Sequence, residues 1–119
     1  MEKEEIVEPI PHKRIEVDVN KIKKFEDHFT YRANIEINAK HWWYDFAFPV
    51  DLVYCETKVF ASVAERKGEC ATAEHPSLRR LYVWKVAAYQ GGISVWIWLG
   101  DTDVGSVEGQ INLLGFTSG

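Results

Sequence analysis

The sequence predicts an all-β protein, an antiparallel β-sandwich of six to eight strands carrying an extended N-terminal arm. Three observations lead there. Apolar and polar residues alternate with a period of two through most of the chain beyond residue 14, the signature of strands with one dry and one wet face. Gly, Pro, Asn and Asp interrupt those runs at short intervals, as turns between strands require. No helical periodicity recurs between the strands, which argues against a doubly wound α/β fold. A length of 119 residues fits one domain, so the chain divides into an arm, residues 1–12, and a single domain, residues 13–119.

The arm differs from the rest in material. It holds four Glu, with Pro9 and Pro11, and no Phe, Tyr or Trp. Proline removes a donor and biases the preceding residue to extended backbone, so this segment is read as an extended arm, disordered alone or ordered against a partner, with the second reading favoured. Glu8, Pro9, Ile10, Pro11 and His12 are the part expected to reach a neighbour.

The first strand follows, with Ile15, Val17 and Val19 alternating against Arg14, Glu16 and Asp18. From Asn20 to His28 the pattern breaks, and Asn20 is expected to cap one short turn carrying Ile22 and Phe25. Tyr31, Ala33, Ile35 and Ile37 restore the alternation. The longest run carries Trp42, Tyr44, Phe46, Phe48, Val50, Leu52 and Tyr54 on one parity. Pro49 lies on the other parity and cannot donate to a ladder, which places this strand at an edge or bends it there. A short strand is expected over 58–63, then a polar connection over 65–80, the longest loop.

The clearest local prediction is a hairpin between 81–90 and 93–99 with Gly91 and Gly92 as its turn. That register puts Trp84, Val86 and Ala88 on the core side with Val95, Ile97 and Leu99. Val83, Lys85, Ala87 and Tyr89 then share the opposite side with Ser94, Trp96 and Trp98, and Lys85 faces Trp98 as a cation over a ring. A loop over 100–105 leads to a last strand over 107–116.

Composition narrows the function. Five Trp, five Tyr and six Phe point to a flat two-layer core or an adhesive surface, since these rings supply energy to both. A net charge of −4, with Lys21, Lys23 and Lys24 the densest basic cluster, argues against nucleic acid as partner. The apolar run Val95 to Leu99 is far shorter than the roughly 20 residues a membrane helix needs. The opening Met1-Glu2-Lys3-Glu4-Glu5 is no secretory signal. Cys55 and Cys70 lack the spacing of a metal site; they read as reduced thiols, one or both buried, with a single bridge as the alternative. Cytoplasmic synthesis is expected, with residence there or in a virion assembled there.

Catalytic signals are weak. His12, His28, His41 and His75 are scattered, and no nucleophile elbow, phosphate-cradling loop or adjacent Cys–His pair is present. Asp101 and Asp103 bound a turn in which Asp bonds its own backbone, or alternatively offer carboxylates to a cation or to sugar hydroxyls. No enzymatic activity, cofactor or metal is therefore expected. The strongest signal is the side carrying Trp96 and Trp98. It is covered by the chain's own strands, by identical subunits, or open as a platform for sugar rings.

Five stretches bear on that choice: Phe46-Ala47-Phe48-Pro49-Val50, Arg79-Arg80-Leu81-Tyr82-Val83, Gly92-Ile93-Ser94-Val95-Trp96, Trp98-Leu99-Gly100-Asp101-Thr102 and Ile111-Asn112-Leu113-Leu114-Gly115. In this order they resemble the H-type lectin domain over about residues 46–116, as also seen in phage tail and fibre proteins. The chain departs by an extra residue between Trp98 and Asp101 and by lacking the aromatic residue of the family's last strand. The resemblance implies a six-stranded sandwich assembling as a trimer, with sugar sites at the subunit junctions. The leading expectation is thus a non-enzymatic structural or interaction protein forming a symmetric oligomer, trimer favoured, as in a head-decoration or tail protein. The alternative is a carbohydrate-binding module using Trp43, Arg79, Trp96, Trp98 and Asp101; a small enzyme or metal protein comes third.

Overall fold

In a computed structural model the structure describes residues 12–38, 43–67, 70–71, 81–99 and 106–117. They form β1 (His12–Glu16), β2 (Lys23–Lys24), β3 (His28–Asn38), β4 (Trp43–Ala47), β5 (Lys58–Lys67), β6 (Cys70–Ala71), β7 (Leu81–Tyr89), β8 (Gly92–Leu99) and β9 (Ser106–Phe116). The one other element among the described residues is a 3-10 turn at Val19–Lys21. The chain is all-β. The strand count exceeds expectation through β2 and β6, two-residue pieces too short for any alternation to reveal.

The strands form two sheets, ordered β1-β4-β8-β7 and β2-β3-β9-β5-β6. All pairings are antiparallel except β1 with β4, which is parallel. That exception follows from the path of the chain. After β1 it crosses to the other sheet for β2 and β3 before returning as β4, the kind of long crossover a parallel pair needs. Between the sheets, Phe29, Tyr31 and Ile37 of β3 and Ile111 and Leu113 of β9 share one core with Tyr44 and Phe46 of β4 and Ile93 and Val95 of β8. Tyr31 meets Phe46 and Phe48 at 6.4 and 5.6 Å between ring centres. Each fully buried side chain of this kind contributes about 1.5–3 kcal/mol.

Three local expectations are corrected. The long run across Pro49 is not one strand. β4 ends at Ala47, the Leu52 N–H donates to the Pro49 carbonyl at 3.0 Å, and the parity flips so that Val50 is exposed and Val53 buried. The turn capped at Asn20 is capped by Asp18, whose carboxylate accepts from the Asn20 N–H at 3.0 Å. The hairpin turn is Gln90-Gly91, with Gly91 at φ +86° and Gly92 already paired with Tyr89. Shifting a two-residue turn by one moves every cross-strand pair by two, so both faces keep their residues.

A bulge between Val83 and Lys85 does change faces. It turns Trp84 out of the core, to 51% exposure, and packs Val83 against the core instead. Lys85 now lies beside Trp96, not Trp98. The extra residue of a bulge has no partner across the ladder, and the alternation restarts on the other parity beyond it.

Of the arm, residues 1–11 lie outside the described residues, Glu8, Pro9, Ile10 and Pro11 among them; His12 is the first residue of β1. Cys55 is an exposed free thiol, and the side chain of Cys70 is outside the description. Among the described residues no helix is long and apolar enough to cross a membrane.

Candidate functional site

The outward face of the four-stranded sheet brings together three of the predicted residues, His12, Trp43 and Trp96. Register places His12 beside Trp43, Trp43 beside Trp96 and Trp96 beside Lys85. The side chains form one row across all four strands. The His12 ring stacks on Trp43 at 4.4 Å and Trp43 on Trp96 at 5.3 Å, the indoles inclined by only 8°. Lys85 Nζ sits 5.2 Å from the centre of the Trp96 ring, and bulged Trp84 meets Trp96 edge-on at 5.1 Å. Each aromatic pair contributes about 0.5–1.5 kcal/mol beyond its buried area, and an exposed cation over a ring about 0.5–1 kcal/mol. The Trp43 Nε1–H is buried, and among the described residues it has no hydrogen-bond partner.

Beside this row lies a polar clamp. Arg14 donates to Glu16 Oε1 at 3.1 Å and to Asp45 Oδ2 at 3.4 Å. The Tyr89 hydroxyl donates to Asp45 Oδ1, spanning from β7 across β8 to β4. It can do so because its ring lies over Gly92, where any Cβ would collide with it. Burial, then the Asp45 carboxylate, push the Tyr89 hydroxyl up to about 12. The hydrogen bond to Glu16 raises the Arg14 guanidinium further still. The clamp ties β1, β4 and β7 together through one carboxylate, Asp45.

Of the predicted residues, Trp43, Trp96 and His12 are brought together, and Trp98 stands two positions beyond Trp96 on the same face, half exposed. Arg79 and Asp101 lie outside the described residues, as does His41. Sequence reasoning placed Tyr89 on this face but missed Trp84, Arg14 and Asp45 as members of it. Trp84 depended on a bulge that no composition signal announces. Asp45 and Arg14 were legible only through the unexpected parallel pairing of β1 with β4. The geometry also limits the sugar-platform idea, because Trp43 has His12 on one face and Trp96 on the other. Edges, not ring faces, point outward there, and the open aromatic area belongs to Trp84 and Trp98.

The outward face of the five-stranded sheet is built differently. An open trough of about 970 Å³ runs across β3, β9 and β5. Its floor is a chain of hydrogen bonds from Arg32 Nε to Asn112 Oδ1 at 3.0 Å, then from Asn112 to Gln110 and from Gln110 to Asn34, both at 3.4 Å. Lys21, Lys23 and Ser62 line it, with Phe60 on its rim at 57% exposure. One end continues into rings: Phe60 meets Phe116 edge-on at 6.1 Å, and His28 stacks on Phe25 at 4.5 Å. A hydrogen bond from His28 holds the Asp27 carboxyl below its usual range.

Among the described residues no group of three or more His, Cys, Asp or Glu is placed to hold a metal ion. No family model, curated protein or solved structure matches the chain.

Proposed function

We propose that this protein is a non-enzymatic assembly unit, a β-sandwich that joins copies of itself in a symmetric oligomer through the outward face of the four-stranded sheet. The observation that carries this reading is the stacked row His12–Trp43–Trp96–Lys85, with half-exposed Trp84 and Trp98 beside it. Rings locked by one another lose little freedom when a partner covers them, and Trp, Tyr and Arg are the residues on which interfaces concentrate their energy. Arg14 and Tyr89, already held by Asp45, supply a polar rim. A closed symmetric arrangement buries such a face on every copy, where an open one would leave it exposed at the ends.

The trimer and the virion setting, as a head-decoration or tail protein, rest on the H-type lectin resemblance, and the arm is proposed to reach a neighbouring copy. Sugar binding on this face is the weaker reading, because the ring faces of Trp43 are already occupied.

The test is solution mass by light scattering over a range of concentrations, for the native chain and for Trp84→Ala/Trp98→Ala. The native chain is expected to form a closed oligomer and the double variant to dissociate at least tenfold more readily while keeping its β spectrum. A native chain that is monomeric at every concentration would sink the reading. Unchanged association of the variant would move the interface to another face.

A further inference from the structure

The cationic trough on the five-stranded sheet has no role in the aromatic interface. We infer that it is the seat of the acidic N-terminal segment, residues 2–8, supplied by a second copy of the chain; this rests on the assembly reading above.

Charge is the first argument. The protein as a whole carries −4, yet Lys21, Lys23 and Arg32 all line the trough, and among the described residues no carboxylate does. None of the three cations is in an ion pair among the described residues. Residues 2–8 read Glu2-Lys3-Glu4-Glu5-Ile6-Val7-Glu8: four acids less one base give −3, against three cations in the trough. Ile6 and Val7 are an apolar pair amid those acids, and Phe60 and Leu114 line the same trough.

The backbone is the second argument. β9, in the middle of the trough, is paired on both sides, with β3 and with β5. An occupant lying across β9 therefore adds no strand to it; it is held there by side chains. Arg32, Asn112, Gln110 and Asn34 already hold one another in fixed orientation across two strands, which lowers the ordering cost of gripping an extended acidic chain.

The path of the chain is the third. Residues 2–11 span at most about 33–36 Å when extended, enough to cross to an adjacent molecule. Pro9 and Pro11 bias the residues before them, Glu8 and Ile10, toward extended backbone, the form that gives such a segment its longest reach.

Sedimentation of the full chain tests this with two charge-reversed proteins. One carries Lys21→Glu, Lys23→Glu and Arg32→Glu; the other carries Glu2→Lys, Glu4→Lys, Glu5→Lys and Glu8→Lys. Each alone is expected to self-associate at least tenfold more weakly than the native chain, with its circular dichroism unchanged. Mixed in equal amounts they restore association, since each arm then meets a trough of opposite sign, and raising salt weakens the native contact. If the native chain associates but neither reversal matters, or mixing fails to rescue, the arm–trough contact is overturned and the aromatic interface stands. A native chain that never associates overturns both. Uptake of an added acidic oligosaccharide by the trough, with association indifferent to the reversals, assigns the trough to an outside ligand and overturns the inference.

Discussion

The two outward faces start from the same pattern and end as opposites. Both are rows of side chains that cross the strands in register. On the four-stranded sheet the row is His12, Trp43, Trp96 and Lys85; on the five-stranded sheet it is Arg32 with Asn112, flanked by Asn34 with Gln110. The first row satisfies itself by stacking, so what it offers a partner is area. The second satisfies its amides internally and leaves cations over, so what it offers is charge. Alternation therefore decides which residues face out, while the identity of cross-strand neighbours decides what kind of surface they make.

The sharpest way to break the comparison is to take out the ring at the centre of the first row. Trp96→Ala removes the stack on Trp43, the contact with Trp84 and the seat of Lys85. It is expected to cost about 2–4 kcal/mol in a urea titration, below the range for a fully buried Trp because Trp96 is only half-buried. A loss under about 1 kcal/mol would mean that the row ornaments the sheet without supporting it.

A middle-sized effect sits in the clamp. Tyr89→Phe is expected to cost about 1 kcal/mol at neutral pH, the hydrogen bond to Asp45. The sign of the pH dependence follows from the direction of the shift. The folded protein holds the Tyr89 hydroxyl up at about 12, above the roughly 10 of an unfolded tyrosine. Its stabilisation is thus complete below pH about 10 and declines as pH rises toward 12. Melting temperatures across that range should fall more steeply for the native protein than for Tyr89→Phe. Parallel curves would count against the buried hydrogen bond.

Smallest of all is Lys85→Met. It keeps the aliphatic stem over Trp96 and deletes the charge, at an expected cost of about 0.5–1 kcal/mol that shrinks in high salt. If salt leaves the difference untouched, the contact is packing rather than cation over ring.

Much of the fold was legible because much of it is local. Tyr31, Ala33 and Ile37 were read as one face of a strand and are buried together; Val95 and Ile97 likewise. The hairpin was read from the pair Gly91-Gly92, of which Gly91 takes the positive φ of the turn and Gly92 already belongs to β8. What could not be read has one physical source: it depends on who pairs with whom. Arg32 and Asn112 lie eighty positions apart, and nothing in either segment names the other. The same holds for the parallel partnership that brings Arg14 to Asp45. Pro49 was read as placing one long strand at an edge or bending it, whereas the strand ends at Ala47 and a turn closed between Pro49 and Leu52 follows. At Trp84 one inserted residue was enough to reverse a face.

The place of β9 in the five-stranded sheet bears on how the protein is made. Among the described strands it is the last in sequence and the middle one of its sheet, paired with β3 on one side and β5 on the other. While the ribosome is still adding residues 106–116, β3 and β5 have no shared neighbour and the core lacks Ile111 and Leu113. The hairpin of β7 and β8 closes early, from adjacent segments, whereas this sheet waits for residues 106–116 and then for loops of long sequence span to close. A nascent chain stalled before β9 is thus the form most exposed to clumping, and the one for which a chaperone has most to cover.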